Sequence, residues 1–291
     1  MDLAYLDHNI IVMESVRLRA IFAPGTGLRV AVSVWNLVEI AKHGDRAEAI
    51  RRATLADGLA PTWLFNARDL QSEEVLGFLL REYFKVDVPP WSPFSPSLSA
   101  VMWNDMAAHR PIVGGAAGWV REHHGKLPAI DQGDQMARAA ITTRQTANLA
   151  ARKAAEPETF RQWVTAKVEN RLPFKVPGHG AITLSEIPKL VEFCWDHRDA
   201  FYAACPSMAV EDQFAEFRAR DKGRHAQLSD GRDLQHAISA LPYCRHLVSG
   251  DGYLRSCAAY AQKQLPLLRL ASVHRNLDEF QRSVTAHQPA A

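Results

Sequence analysis

The sequence predicts an open α/β fold, a mainly parallel sheet flanked by helices, with a largely helical insertion in its middle. Three observations carry this prediction. Residues 3–6, 28–33 and 246–248 are short apolar runs of strand length, and the first two feed directly into helical patterns. The first and last of these runs end in acids, Asp7 and Asp251, and open α/β sheets collect their ligands at such strand ends. Between them, from residue 97 to about 209, strand signals are nearly absent and helical patterns dominate. The chain should therefore divide into a first core part, 1–84, a mostly helical insertion, 85–209, and a second core part, 210–291.

The elements follow in order. In Leu3-Ala4-Tyr5-Leu6-Asp7-His8-Asn9 a short interior strand gives way to a helix with apolar positions at Ile10, Met13, Val16 and Ala20. Taken alone, Asp7 reads as the N-cap of that helix. Ala23-Pro24-Gly25-Thr26-Gly27 interrupts the chain before the strand 28–33, whose last residue, Ser33, caps a helix running to about His43. Val34, Leu37, Val38 and Ala41 share one face of this helix and Glu39 lies opposite, so periodicity alone makes Glu39 a solvated residue with His43 as its partner. A basic helix over 45–56 leads to 59–65, which reads as a third strand or a packed loop. An amphipathic helix over 71–84 comes next. Four prolines within residues 89–96 then bar a continuing helix or central strand and mark a boundary.

The insertion breaks at Val113-Gly114-Gly115, at Glu156-Pro157 and over 173–179, and its scattered cations read as solvated helix faces. His123 and His124 lie near Asp131 and Asp134 but match no zinc spacing. Trp103, Trp119, Trp163 and Trp195 read as core anchors. A helix around 210–220 then runs into the densest cationic stretch, residues 217–225, which serves as a solvated surface or holds phosphates beside a site. Ser229-Asp230-Gly231-Arg232-Asp233 opens a helix with Leu234, Ala237, Ile238 and Leu241 on one face. Asp230 as N-cap with Asp233 at N3 is the local reading of its acids. Pro242-Tyr243-Cys244 turns the chain into the strand that ends at Ser249-Gly250-Asp251-Gly252.

Composition narrows the classes. With 47% hydrophobic and 23% charged residues among 291, the chain is neither disordered nor fibrous. The balance of 34 basic against 32 acidic residues gives no overall field for a polyanion, so a nucleic-acid surface must arise from local clustering. Cys194, Cys205, Cys244 and Cys257 form no CxxC pair and no signal peptide is legible, which predicts a reduced, cytoplasmic protein. No apolar run approaches the roughly 20 residues that span a bilayer, so no membrane partner is expected.

Two strand ends each bearing an acid, and a further acid in the first turn of the helix before the second strand, can converge at one end of a parallel sheet. Divalent metal binding is the chemistry that wants such a group, because Mg²⁺ and Mn²⁺ take oxygen ligands and clustered carboxylates repel without a cation. A cation so held generates a nucleophile from water at neutral pH and neutralises charge on phosphoryl oxygens.

These residues resemble the PIN-domain nucleases, which include many bacterial toxin ribonucleases. Leu6-Asp7-His8-Asn9 is similar to the family's opening strand end, and residues 33–39 to its second strand and acid-bearing helix. Residues 233–240 are similar to the third acid with its apolar helix, and residues 246–251 to the strand that ends in the fourth. The resemblance implies a three-layer α/β fold and hydrolysis of RNA phosphodiesters that usually leaves a 5′-phosphate. It assigns Asp7, Glu39, Asp233 and Asp251 as catalytic metal ligands for Mg²⁺ or Mn²⁺, with Asn9 and Ser249 as supporting or substrate contacts. Arg218, Arg220, Lys222 and Arg224 of the basic stretch are then candidates for the RNA backbone. RNA is the implied partner, an antitoxin protein would accompany a toxin role, and a homodimer stays open. The chain departs from compact members in the long, helical separation between Glu39 and Asp233.

Two other readings compete. Haloacid dehalogenase-like phosphatases also place an Asp after the first strand, but they require Asp-x-Asp, and Asp7-His8-Asn9 lacks that general acid. A non-catalytic PIN-like module would hold RNA or a partner protein; the presence of all four acids argues against it.

Overall fold

The computed structural model describes residues 2–13, 15–102, 112–127, 132, 135–140, 142–143, 149–221, 223–227 and 229–286. Six strands form the central sheet, β1 (Asp2–Leu6), β2 (Leu28–Ser33), β3 (Thr62–Leu64), β4 (Phe94–Ser95), β7 (His246–Val248) and β8 (Ser272–His274), while β5 (Lys175–Val176) and β6 (Gly180–Ala181) make a separate hairpin. The order is β4-β3-β2-β1-β7-β8, parallel throughout except for β4. β1 lies in the middle, with Tyr5 opposite Ala31 on one side and Leu247 on the other.

Strand alternation divides the core between the two faces of the sheet. Ala4, Leu6, Val30 and Val32 point to one face, where they meet α1 (His8–Met13), α2 (Ser15–Ile21), α3 (Val34–Ala41) and α4 (Arg46–Asp57). Tyr5, Ala31 and Leu247 point to the other, under the start of α5 (Ala67–Phe78) and under three later helices. The chain moves outward from β1 in one direction through β2 and β3, then in the other through β7 and β8. The crevice beside the carboxyl ends of β1 and β7 is therefore the switch point where doubly wound sheets bind ligands.

The stretch 85–209 joins two different clusters. α6 (Leu98–Met102) and α7 (Gly115–His123) pack on the first face of the sheet, where Trp119 is fully buried. α8 (Leu149–Glu169), α9 (Ile187–Asp196) and α10 (Arg198–Ala204) surround the far end of α5 through Phe78, Phe160, Leu190 and Phe201. Trp163 and Trp195 pack at the margin of this third cluster, and Trp103 lies outside the described residues. Further helices are α11 (Pro206–Arg220), α12 (Asp230–Ala240), α13 (Gly252–Gln264) and α14 (Leu277–Ala286). α11, α12 and α13 cover the second face.

Some boundaries differ from the sequence reading, for local reasons. α5 starts at Ala67, before the expected residue 71, because the Asn66 side chain accepts the Asp69 N–H at 3.0 Å. It ends in a π-turn over Leu79–Tyr83. Among the prolines, Phe94–Ser95 forms an edge strand, the one sheet position where nearby prolines cost no ladder bond.

α5 also buries polar groups where the sheet core meets the third cluster. Glu74 accepts the Ser207 N–H at 3.0 Å, the Ser207 hydroxyl at 2.7 Å and the Tyr243 hydroxyl. Burial pushes its pKa up to about 7 against these hydrogen bonds. A raised carboxyl pKa gives stability that is complete below the unfolded value of 4.5 and is lost as pH rises through 7. Urea unfolding between pH 4.5 and 8 should show wild type losing on the order of 3 kcal/mol relative to Glu74→Gln.

Candidate metal centre

At the switch point lies a cavity of about 250 Å³ lined by Asp7, Glu39, Asp233 and Asp251, together with Tyr5, His8, Asn9, Ser229, His236 and Ser249. Four distant segments thus deliver their acids to one place. Asp7 is fixed by the end of β1: its N–H donates to the Val248 carbonyl at 3.0 Å, and its carbonyl accepts the N–H groups of Ile10 and Ile11 as α1 begins. Its carboxylate accepts the Ser249 hydroxyl at 2.9 Å and meets His8 Nδ1 at 3.0 Å. The Ser249 hydroxyl in turn accepts the Asp251 N–H at 3.2 Å, tying the two strand ends together. Asp251 is the N-cap of α13, one oxygen accepting the Leu254 N–H at 2.8 Å.

Glu39 reaches the cavity from α3, whose start is set where Asn36 Oδ1 accepts the Ser33 N–H at 2.8 Å. Its side chain is 8% exposed, so the solvated placement that periodicity suggested does not hold. The helix carries Asn36, Leu37, Val38, Ile40 and Ala41 buried around it, which leaves it almost no solvent face. Glu39 Oε2 lies 2.5 Å from His8 Nδ1 and 3.3 Å from His236 Nε2, and Oε1 lies 3.9 Å from Arg232 Nη1. His43, the partner expected from spacing, instead accepts the Asp45 N–H at 3.1 Å.

Asp233 sits in the first turn of α12, its N–H bonded to the Ser229 carbonyl at 3.0 Å. Ser229, not Asp230, occupies the N-cap position. Asp230 is consumed by Arg224, whose Nη2 lies at 2.7 Å, and by the Gln227 N–H at 3.0 Å.

Two histidines and a tyrosine complete the site. His236, one turn after Asp233, hydrogen-bonds through Nδ1 to the Tyr5 hydroxyl. That hydroxyl donates to Asn36 Oδ1 at 2.8 Å and contacts Ser33 Oγ at 2.8 Å, while Asn36 Nδ2 donates to the Leu6 carbonyl at 3.0 Å. The chain from the sheet to His236 is fully buried. The sequence offered thin signals for it: a buried tyrosine needs a partner, and His236 shares a helix face with Asp233.

The electrostatics follow from this packing. Burial opposes charge on His8, yet its contacts with Asp7 and Glu39 raise its pKa to about 9. Burial also opposes charge on Glu39, but the fields of His236 and His8 hold it well below the usual carboxylate range. Asp7 is lowered in the same way, against burial, by His8 and His236. Asp233 goes in the other direction: burial raises it to about 6, the charges of Glu39 and Asp251 add to the rise, and the Ser229 hydroxyl and His236 oppose it.

The basic stretch is placed elsewhere. Arg218 is nine-tenths buried, Arg220 pairs with Glu216 and lies over the Tyr260 ring, and Arg224 holds Asp230 while stacking 3.4 Å above Tyr253. None of the three lines the cavity, and Lys222 lies outside the described residues. His123 and His124 contact the carbonyls of Trp119 and His43, and Asp131 and Asp134 lie outside the described residues.

No family model, curated protein or solved structure matches the chain. The donor set itself provides the test of a metal. Asp7, His8 and Glu39 each offer an atom within 4.8 Å of the others, and Glu39 Oε2 is buried without an aligned hydrogen bond. Two carboxylates and an imidazole, with one carboxylate oxygen held only by unaligned contacts to His8 and His236, fit a divalent cation. Among the described residues no helix is long and apolar enough to cross a membrane.

Proposed function

We propose that the chain is a metal-dependent ribonuclease of the PIN-like type. The observation that supports it most is the convergence of Asp7, Glu39, Asp233 and Asp251 on one cavity at the sheet's switch point. Asp7, Glu39, Asp233 and Asp251 would hold Mg²⁺ or Mn²⁺, which when bound would supply a nucleophile from water and offset charge on the scissile phosphate. The protein's own groups prepare the place. Ser249 fixes the rotamer of Asp7 and ties it to Asp251; Tyr5 and Asn36 fix His236 against Glu39; exposed Asn9 at the mouth is placed to meet substrate. RNA is the proposed substrate, and an antitoxin partner or a homodimer belongs to the same proposal.

The test is cleavage of labelled single-stranded RNA and DNA with Mg²⁺, Mn²⁺ or EDTA. Metal-dependent cutting of RNA is expected, and EDTA-resistant cutting would sink the proposal. Acid should weaken the centre. Asp233 accepts a proton below about pH 6, and a neutral carboxyl cannot ligate, so metal affinity should fall about tenfold per pH unit below that point. Calorimetric titrations at pH 5 and 7.5 would read this.

One observation favours a second reading, a non-catalytic module. His8 and His236 place positive charge against Glu39, so that carboxylate is neutralised without any ion. Failure of every divalent cation to bind would favour that module.

A further inference from the structure

We propose, building on the reading of this cavity as a metal centre, that His8 is itself a metal ligand, which makes the centre selective for Mn²⁺ and later first-row divalent ions over Mg²⁺. His8 occupies the middle position of Asp7-His8-Asn9, and α1 begins at this residue. That start turns its ring back toward the strand end: Nδ1 lies 3.0 Å from Asp7 Oδ1 and 2.5 Å from Glu39 Oε2. Ligand atoms at adjacent corners of an octahedron with bonds of about 2.1 Å are separated by roughly 3.0 Å. Asp7 and His8 already stand at that spacing. Glu39 adds a second observation: its side chain is 8% exposed in the cavity wall, and Oε2 is buried against His8 and His236, at 2.5 and 3.3 Å, with no aligned hydrogen bond to either.

The two histidines differ in what they can do. His236 has Nδ1 committed to Tyr5 and stands 3.3 Å behind Glu39, so it orients that carboxylate. His8 presents Nδ1 beside both carboxylates, close enough to share one cation with them. Imidazole nitrogen suits Mn²⁺, Fe²⁺, Co²⁺ and Zn²⁺ far better than Mg²⁺, which prefers an all-oxygen shell. Were His8 only a counter-charge, removing it would strengthen binding of every cation alike. As a ligand, its removal must weaken the imidazole-binding metals selectively.

The experiment is calorimetric titration of the metal-free protein with MgCl₂, MnCl₂ and CoCl₂, together with the visible absorption of the Co²⁺ form, for wild type, His8→Ala and His8→Gln. Circular dichroism and melting in EDTA report folding of each variant. The expected result is a loss of at least about tenfold in Mn²⁺ and Co²⁺ affinity in both variants, a much smaller change for Mg²⁺, and a shifted Co²⁺ spectrum. A uniform gain for all three ions, or an unchanged preference and spectrum, overturns the assignment and leaves the oxygen-only centre standing. Absence of metal binding in wild type overturns both. Binding that depends on His8 without RNA cleavage supports the ligand and removes the nuclease reading.

Discussion

Asp7→Asn is expected to reduce metal-dependent RNA cleavage by at least about a thousandfold, equivalent to roughly 4 kcal/mol of transition-state stabilisation, while the protein stays folded. Asparagine keeps the shape of the side chain and an oxygen for the Ser249 hydroxyl, which now lies 2.9 Å from the carboxylate. What it removes is the charge at the mouth of β1, where the side chain is 16% exposed and its neighbours can relax. Cleavage of labelled RNA in Mn²⁺, with melting of the metal-free protein as control, measures the two effects separately. Cleavage within tenfold of wild type would end the assignment of Asp7. Asp233→Asn should be equally inactive, yet melt at or above the wild-type temperature in EDTA. Its carboxyl is raised to about 6 by burial and by Glu39 and Asp251, so neutralising it relieves repulsion in the empty centre.

That opposition between function and stability explains which parts of the site were legible in the sequence. Asp7, Asp233 and Asp251 sit at strand ends and in a first helical turn, positions that a one-dimensional pattern locates. Asp7 and Asp233 each had a capping explanation, and the structure adds one for Asp251, the N-cap of α13. Ser229 takes the cap expected of Asp230, because Asp230 is tied to Arg224 and to the Gln227 backbone. The second face, built on Tyr5, Ala31 and Leu247, follows the same local logic of alternation.

Glu39, His8 and His236 were not legible in this way, since their roles depend on contacts across 30 residues or more or on a helix buried on several sides. A hydrophobic stripe marks the face of α3 that meets the sheet, yet carries no information about α12 arriving opposite it. The resemblance named Glu39 where periodicity pointed outward, and nothing in spacing named the histidines. β8 went unread because a three-residue strand offers too short a pattern. Charge density along the chain likewise does not reveal that Arg220 and Arg224 are already paired, with Glu216 and Asp230.

Glu39→Gln should differ from Asp233→Asn, because it costs stability as well as activity. Glu39 is the anion between His8 and His236, and the amide leaves both imidazoles in a buried place with less compensating charge. The rise of His8 from 6.5 to about 9 corresponds to about 3 kcal/mol, the net of what its two carboxylate partners supply and what burial costs. The sign fixes where the deficit appears. A raised histidine pKa gives stability that is complete below 6.5 and is lost as pH rises through about 9. The depressed Glu39 gives stability that is present above 4.5 and lost as pH falls below it. The variant should therefore fall furthest below wild type between pH 4.5 and 6.5, and the gap should narrow toward pH 9. Urea unfolding in EDTA at pH 5.5 and 9 tests this, and a gap that widens with pH would mean that the histidines are neutral beside Glu39. Saturating Mn²⁺ should stabilise wild type and leave Glu39→Gln nearly unmoved, since ligand binding to the folded state alone raises stability by mass action. The same carboxylate would then serve two cations in turn, the imidazolium pair in the empty protein and the metal in the active one.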